Sequence, residues 1–139
     1  MYIKCFETVP DEARKIRNEV FVAEQGFVYE FDEIDDKAIH FVLYTGSDIP
    51  VATCRVFEGD EVNLFVLGRL AVLKEYRGNG YGKMIVFEAE KHIKNIGGRF
   101  LMLHSQCRIK DFYKKLGYTE FGDIEYEEDC PHVWMKKTI

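Results

Sequence analysis

The chain has 139 residues, of which 47% are hydrophobic and 31% are charged. This length and composition predict one globular domain over residues 1–139 and exclude an intrinsically disordered chain. The 24 acidic and 19 basic residues give a formal charge of -5, and no Lys/Arg cluster interrupts that balance. We therefore expect no nucleic-acid partner.

The four cysteines are scattered without a C-x-x-C pair, and they give no zinc-site spacing with the four histidines. We expect free thiols in a reducing compartment and no metal. The N-terminus lacks a basic region followed by an apolar run, and no apolar stretch approaches ~18 residues. The sequence therefore predicts a soluble, cytoplasmic protein that has no membrane partner.

A first strand over residues 1–6 is followed by the signals of a helix. Thr8 is expected to be the N-cap, with Asp11 in the capping-box position and Pro10 in the first turn. Apolar residues at spacings of three and four predict the buried side of this helix, namely Ala13, Ile16, Val20 and Ala23.

The segment from Glu24 to Asp36 is acidic and irregular, and we interpret it as a loop. Three β-rich runs follow, separated by turn residues: Ile39–Thr45, Val51–Phe57 and Asn63–Leu73. These runs predict an antiparallel meander.

After the third run the hydrophobic period changes to that of a helix, with Gly97-Gly98 at its end. Its apolar positions are Ile85, Ala89, Ile93 and Ile96. A strand over Phe100–His104, a helix over 108–116 that ends at Gly117, and strands near Tyr118–Phe121 and His132–Lys136 complete the pattern. This order predicts an α+β fold with a mixed sheet covered by helices.

The segment Arg77-Gly78-Asn79-Gly80-Tyr81-Gly82-Lys83 lies between a strand and a helix. Its glycines permit a tight turn, and the free N–H groups at a helix start favour a phosphate or pyrophosphate. A P-loop is excluded because Arg77 replaces its first Gly and Met84 follows Lys83. A Rossmann fingerprint is disfavoured because Lys83 replaces its third Gly and a meander precedes the segment. A turn that only connects strand and helix remains the alternative.

The pattern R-x-x-G-x-G, formed by Arg77, Gly80 and Gly82, resembles the acetyl-CoA motif of the GNAT family of N-acetyltransferases. The segment 111–118 resembles that family's F-Y-x-K-x-G-[FY] motif. Further similarity to the small ElaA-like and YjcF-like bacterial members covers nearly the whole chain: 17–25, 32–35, 104–106 and 131–132. The resemblance implies a mostly antiparallel sheet with helices on both faces, splayed between residues 63–73 and 100–104, with acetyl-CoA in the opening.

The same resemblance implies a cofactor site. The backbone of Leu70, Ala71 and Val72 would hold the pantetheine arm and polarise the thioester carbonyl. The pyrophosphate would bind the backbone N–H groups of Gly78, Asn79, Gly80, Tyr81, Gly82 and Lys83. Arg77 and Lys83 would add positive charge, unless they are only solvated side chains at a helix start. Gln106 stands where many members carry an Asn that contacts the cofactor, so that match is partial.

Tyr113 is the candidate general acid for the departing CoA thiolate, and a core aromatic residue is the competing interpretation. Four residues remain as candidates for the general base: Glu24, Glu30, His40 and His104. His104 is preferred because it lies at the expected mouth of the splay and has a reference pKa near ~6.5. A structural histidine or a water relay is an open alternative, and a covalent mechanism through Cys107 is disfavoured.

The leading hypothesis is therefore an enzyme that moves acetyl from acetyl-CoA to a primary amine of a small molecule or peptide. Acidic residues in 30–36 and 123–129 either attract a cationic acceptor or form solvated loops. A second hypothesis is an acyl-CoA-sensing module, in which Tyr113 would be dispensable. A third hypothesis is an acyl-homoserine lactone synthase, because the N-terminal region of that family resembles residues 20–25. The short chain and the R-x-x-G-x-G loop disfavour it. A homodimer is left open.

Overall fold

A computed structural model describes residues 1–139 and contains one seven-stranded sheet. The strands are β1 (Tyr2–Phe6), β2 (Ile39–Tyr44), β3 (Pro50–Glu58), β4 (Leu64–Val72), β5 (Phe100–Gln106), β6 (Thr119–Glu127) and β7 (Cys130–Thr138). The α-helices are α1 (Asp11–Arg17), α2 (Tyr81–Asn95) and α3 (Lys110–Lys115). A π-helical turn spans Asn18–Glu24, and 3₁₀ turns span Glu33–Asp36, Lys74–Tyr76 and Cys107–Ile109.

The strand order is β1-β2-β3-β4-β5-β7-β6. All neighbouring pairs are antiparallel except β4 and β5, which run parallel. The predicted α+β fold with a mixed, mostly antiparallel sheet is confirmed.

The two parallel strands separate after a short paired stretch. Residues 64–67 of β4 pair with residues 100–103 of β5, and the ladder stops there although both strands continue. A bulge in β4 places Arg69 in the left-handed region, with φ of 54°. Because a bulge bends the strand that carries it, β4 turns away from β5 at this point. The splay expected from the family resemblance is therefore present.

Helices cover both faces of the sheet because successive strand side chains point in opposite directions. On one face, α2 buries Ile85, Val86, Ala89 and Ile93 in a cluster with Phe41 and Leu43 of β2. On the other face, α1 buries Ala13 and Ile16 against Val42 and Tyr44 of the same strand. Fully burying one such aliphatic side chain stabilises the fold by about 1.5–3 kcal/mol.

The start of α1 differs from the prediction. The carbonyl oxygen of Pro10 accepts the first helical hydrogen bond, from Arg14 N at 3.1 Å, so Pro10 and not Thr8 is the N-cap. Thr8 lies outside the helix and is exposed, and no side chain caps the N-terminus of α1. At Asn18 the chain passes into the wider π-helical turn, and Phe21 rather than Ala23 continues the buried side.

Two further boundaries are corrected. Ile96 lies beyond the last residue of α2 and is 52% exposed, because the chain already leaves the helix towards Gly97. Residues 123–129 are not a solvated loop, since β6 continues to Glu127 past an irregularity between Phe121 and Glu125. An irregularity of this kind breaks the alternation by which a strand is recognised in a sequence.

The four cysteines are free thiols, as expected. Cys54 is buried, and burial raises the pKa of its thiol, which makes it unreactive. None of the helices combines the length and the apolar character needed to cross a membrane.

Candidate active site

A cavity of about 300 Å³ lies where β4 and β5 separate. Its first wall is the bulged part of β4, residues 68–70, together with Glu30. Its second wall is formed by residues 104–106 of β5 with His132 and Trp134 of β7. Tyr113 of α3 also lines it. The structure thus brings Tyr113, His104 and Gln106 to one cavity.

The glycine loop lies between the 3₁₀ turn at Lys74–Tyr76 and α2. Gly78 and Gly80 have φ of 82° and 79°, and nothing lies within 4 Å of the place that a Cβ would occupy. The backbone N–H groups of Gly78, Asn79 and Gly80 donate to no protein acceptor. Those of residues 81–83 begin a 15-residue helix and have no acceptor in a preceding turn. This row of free N–H groups at a helix N-terminus suits an anion.

Gly82 is required for a close contact rather than for its φ. A Cβ there would lie 3.3 Å from the ring of Phe112 and 3.7 Å from a methyl group of Val72. The first turn of α2 therefore packs directly against the residue that precedes Tyr113, so the anion cradle and α3 are in contact.

Arg77 is bound by the protein itself. Its Nε donates to the carbonyl oxygen of Val72 at 2.9 Å, and its two terminal nitrogens donate to the Glu24 carboxylate at 2.8 Å each. These bonds raise the pKa of Arg77 and lower the pKa of Glu24. Lys83 is exposed, with its Nζ 5.5 Å from the ring centroid of Phe87.

Residues 70–72, expected along the pantetheine arm, form the end of β4 beyond the point where it separates from β5. Leu70 lines the cavity, whereas Ala71 is buried in the cluster under α1. The carbonyl oxygen of Val72 already accepts the bond from Arg77.

Tyr113 belongs both to the core and to the cavity wall. Only 4% of it is exposed, and its ring packs edge-on against Phe112 and Tyr118, at centroid distances of 5.0 and 5.9 Å. Burial raises the pKa of its phenol well above the ordinary value. The hydroxyl therefore stays protonated at neutral pH and can act as a hydrogen-bond donor in the cavity.

His104 lies in a tight group on the second wall. Its ring stacks on Trp134 with a centroid distance of 4.5 Å. Nδ1 lies 3.3 Å from Oε2 of Glu127, and Nε2 lies 3.3 Å from Oε1 of Glu125. Both are charge contacts rather than hydrogen bonds, and the buried Nε2 has no hydrogen-bond partner. Burial lowers the pKa of His104 more than the two carboxylates raise it.

Glu127 and His132 are functional candidates that sequence reasoning missed. His132 Nε2 lies 3.0 Å from Oε2 of Glu127, and Nδ1 lies 2.9 Å from the carbonyl oxygen of Cys130. Burial lowers the pKa of His132, but these two contacts outweigh it and the net change is upwards. In the sequence, His132 is marked only by the Pro131-His132 similarity and Glu127 only by its place among the acidic residues 123–129, and neither signal pairs the two residues. We call His104, Glu125, Glu127 and His132 the histidine–glutamate cluster.

Gln106 uses both ends of its amide within the protein. Its Nε2 donates to Oε1 of Gln25, and its Oε1 accepts from Nε of Arg108, both at 2.9 Å. These bonds tie the end of β5 to the chain that follows the π-helical turn.

Three carboxylates of the acidic segment beside the cavity, those of Glu30, Asp32 and Asp35, are paired with arginines, whereas Glu33 and Asp36 are exposed. Arg17 donates to Glu30 at 2.7 Å and to Asp35 at 2.8 Å. Arg55 donates to Asp35 at 2.9 Å and to Asp32 at 2.6 Å. Together with Arg69, whose Nε lies 3.1 Å from Glu30, these residues form the arginine–carboxylate network.

Two other base candidates belong to this network or pack against it. Burial raises the pKa of Glu30, although its Oε2 is held by Arg17 and Arg69. His40 is buried with Nε2 2.9 Å from the carbonyl oxygen of Asp35, and burial lowers its pKa. Arg17 itself was missed by sequence reasoning. It follows Ile16 directly on a helix, where only its acidic partners further along the chain could have indicated burial.

The family model described as acetyltransferase (GNAT) domain matches residues 10–139. This chain belongs to the GNAT acetyltransferase family. The uncharacterized N-acetyltransferase YjcF of Bacillus subtilis is 34% identical over 129 residues, which cover 91% of this chain and 90% of YjcF. The chain is therefore an N-acyltransferase, and the resemblance to YjcF-like members is confirmed.

Solved structures agree with this family. A Lactobacillus plantarum protein assigned as an N-acetyltransferase has a TM-score of 0.89 and 30% identity to this chain, covering 99% of it and 97% of that protein. Escherichia coli ElaA has a TM-score of 0.84 and 22% identity, with 99% of each chain covered. At that identity, the likeness to ElaA concerns the fold alone.

Proposed function

We propose that this GNAT protein transfers acetyl from acetyl-CoA directly to a primary amine of a small molecule or peptide. One observation carries the proposal: the row of free N–H groups over residues 78–83 packs, at Gly82, against Val72 at the end of β4 and against Phe112, whose neighbour Tyr113 lines the cavity in the splay. The pyrophosphate of CoA would accept hydrogen bonds from this row. The pantetheine arm would then follow residues 70–72 of β4 into the cavity.

In the proposed reaction the amine nitrogen attacks the thioester carbonyl carbon, and the carbon–sulfur bond breaks. The hydroxyl of Tyr113 donates its proton to the departing CoA thiolate. Because the pKa of this phenol is raised, the phenolate regains a proton readily before the next cycle.

His104 is the proposed acceptor of the amine proton. It lines the cavity, its buried Nε2 has no hydrogen-bond partner, and its lowered pKa keeps the ring neutral near pH 7. The other three candidates are bonded elsewhere: Glu24 to Arg77, Glu30 to two arginines, and His40 to the Asp35 carbonyl.

Isothermal titration with acetyl-CoA tests the cofactor half. Gly80→Asp places bulk and negative charge in the row of N–H groups, so we expect at least about a tenfold loss of affinity. Gly97→Asp is the matched control, because Gly97 also has a positive φ in open space but lies beyond the other end of α2. Wild-type affinity in Gly80→Asp, or no binding by the wild type, would make the loop a mere turn and overturn the proposal.

Turnover distinguishes the enzyme from an acyl-CoA-sensing module. CoA release is measured with a panel of primary amines that includes cationic ones. Tyr113→Phe should keep the affinity for acetyl-CoA but lose on the order of 10²-fold or more in kcat. Tyr2→Phe on β1 is the control. Acetyl-CoA binding without turnover of any amine by the wild type would favour the sensing module.

We further propose that residues 1–139 act as one catalytic domain in the cytoplasm. The free thiols support a reducing location. A homodimer stays a prediction, for which size-exclusion chromatography with light scattering is the direct measurement.

A further inference from the structure

We propose that Glu127 and His132 are positioning residues, which hold His104 in the tautomer whose Nε2 accepts the proton of the acceptor amine. The inference rests on the proposed function, because it assigns how His104 is prepared for that step. It adds two residues that the proposed reaction did not require.

The protonation state of His132 follows from its two neighbours. The Cys130 carbonyl oxygen, 2.9 Å from Nδ1, can only accept, so Nδ1 carries hydrogen. A neutral ring would then direct the Nε2 lone pair at the Glu127 carboxylate oxygen 3.0 Å away. Protonation of both nitrogens removes this repulsion, in agreement with the raised pKa of His132 and the lowered pKa of Glu127. His132 and Glu127 are therefore an ion pair.

The same carboxylate oxygen decides the tautomer of His104. Oε2 of Glu127 lies 3.3 Å from Nδ1 of His104, so a proton on Nδ1 faces an acceptor. The opposite tautomer would place the Nδ1 lone pair against this carboxylate, which His132 holds in place at 3.0 Å. The Glu125 carboxylate lies equally far from Nε2, at 3.3 Å, but its side chain is 60% exposed and can turn away into solvent. With hydrogen on Nδ1, Nε2 carries the free lone pair, and this is the buried nitrogen that lacks a protein partner.

Other elements supply further charged groups around His104. Glu125 of β6 lies 3.3 Å from Nε2, and its Oε1 also accepts from Trp134 Nε1 at 3.2 Å. The positive charge of Arg69 on β4 adds to the lowering of the Glu127 pKa and partly opposes the rise in the His132 pKa. The Glu125 side chain is 60% exposed, so an arriving ammonium group can displace it or bind to it beside Nε2.

The proton-transfer step then balances without another reactant. The N–H bond of the ammonium group breaks, its electron pair stays on the amine nitrogen, and the proton bonds to His104 Nε2. The product is an imidazolium ion whose Nδ1–H group faces the Glu127 carboxylate. The neutral amine attacks the thioester, the proton that its nitrogen loses as the amide forms restores the hydroxyl of Tyr113, and the imidazolium later releases its own proton to water.

The pH dependence of kcat/KM for the amine tests this inference at saturating acetyl-CoA. The wild-type rate should rise as His104 loses its proton. Glu127→Gln removes the charge that favours the imidazolium, so the rising limb should move to lower pH while the plateau falls about 10- to 100-fold. Glu120→Gln, on the same strand but paired with Lys114, is the control. In a His104→Ala background, Glu127→Gln should have no further effect.

Nitrogen NMR of the histidine rings gives a second readout that does not need activity. Near pH 7 we expect His132 protonated on both nitrogens and His104 protonated on Nδ1 alone. In Glu127→Gln the two His104 tautomers should mix. A wild-type His104 protonated on Nε2, or an unmoved rising limb in a Glu127→Gln enzyme that still turns over, would overturn this inference alone. A wild type that binds acetyl-CoA but acetylates no amine would overturn the proposed function and this inference with it.

Discussion

Two groups of charged side chains face each other across the cavity, and they differ in how completely they are paired. In the arginine–carboxylate network, Arg17, Glu30 and Asp35 are almost fully buried and bonded to one another, and every carboxylate is paired, although Nε of Arg55 has no partner. In the histidine–glutamate cluster, Glu125 and Glu127 remain half exposed or more, and His104 Nε2 has no partner.

This difference distinguishes a structural role for the network from the chemical role proposed for the cluster. A buried charge that is fully paired resists movement, because losing one partner leaves the other charge desolvated. An unpartnered imidazole nitrogen beside a cavity can exchange a proton or bind a ligand, whereas the unpartnered Nε of Arg55 belongs to a guanidinium that stays protonated. The network therefore fixes the first wall, and the cluster on the second wall contains the group that we propose takes part in the reaction.

The largest expected effect comes from breaking the network at its centre. Arg17→Met leaves Glu30 and Asp35 buried without their main partner and should lower the free energy of unfolding by about 3–5 kcal/mol. Arg14→Met on the same helix is the control, because Arg14 is exposed. Urea denaturation measures both variants. Equal stabilities of the two would show that the network does not support the wall.

Acid should weaken the network next. Burial opposes ionisation of Asp35, but hydrogen bonds from Arg17 and Arg55 outweigh it and hold the pKa of Asp35 well below its ordinary value of 3.8. Its contribution to stability is therefore present above pH 3.8 and is lost as the pH falls towards its folded-state pKa. The free energy of unfolding should fall by about 1.4 kcal/mol per pH unit for each proton taken up. Below pH 3.8, the free energy of unfolding should fall less steeply with decreasing pH in Asp35→Asn than in the wild type, as measured by urea denaturation at several pH values. Equal slopes in the two proteins would contradict this assignment.

The smallest expected effect is on the stability of the cluster. Glu125→Gln should change the free energy of unfolding by less than about 0.5 kcal/mol, because Glu125 is mostly exposed. Added salt should also leave the buried network unaffected while it screens this exposed charge. Thermal denaturation with and without salt provides the measurement. A loss comparable to that of Arg17→Met would make the cluster structural and remove the contrast between the walls.

The fold was predictable where local pattern and tertiary packing agree. The period of Ile85, Ala89 and Ile93 identified α2 because these residues face one core. The end of that helix was placed too late at Ile96, since periodicity counts apolar residues and does not register where the backbone leaves the helix. Strand β6 was placed too short because its irregularity after Phe121 interrupts the alternation.

In the site, the predictable part was again local. The glycine segment and Tyr113 lie in contiguous motifs whose spacing is visible in the chain. Arg17 and the Glu127–His132 pair were missed because burial and pairing depend on residues from other elements. Hydropathy assigns an arginine to solvent, and only the folded chain shows that Glu30 and Asp35 enclose it.

Strand β6 lies at the edge of the sheet, so its residues can be substituted more easily than those of the glycine loop. This strand pairs with β7 alone, and all nine of its residues are exposed. Its amides should exchange with deuterium before those of the central strands, because an edge strand opens without disturbing the core. Substitutions at its exposed positions cost little folding free energy. Selection can therefore alter the carboxylates beside His104, where the proposed acceptor would bind, while the glycine loop at the start of α2 keeps the proposed site for the CoA pyrophosphate.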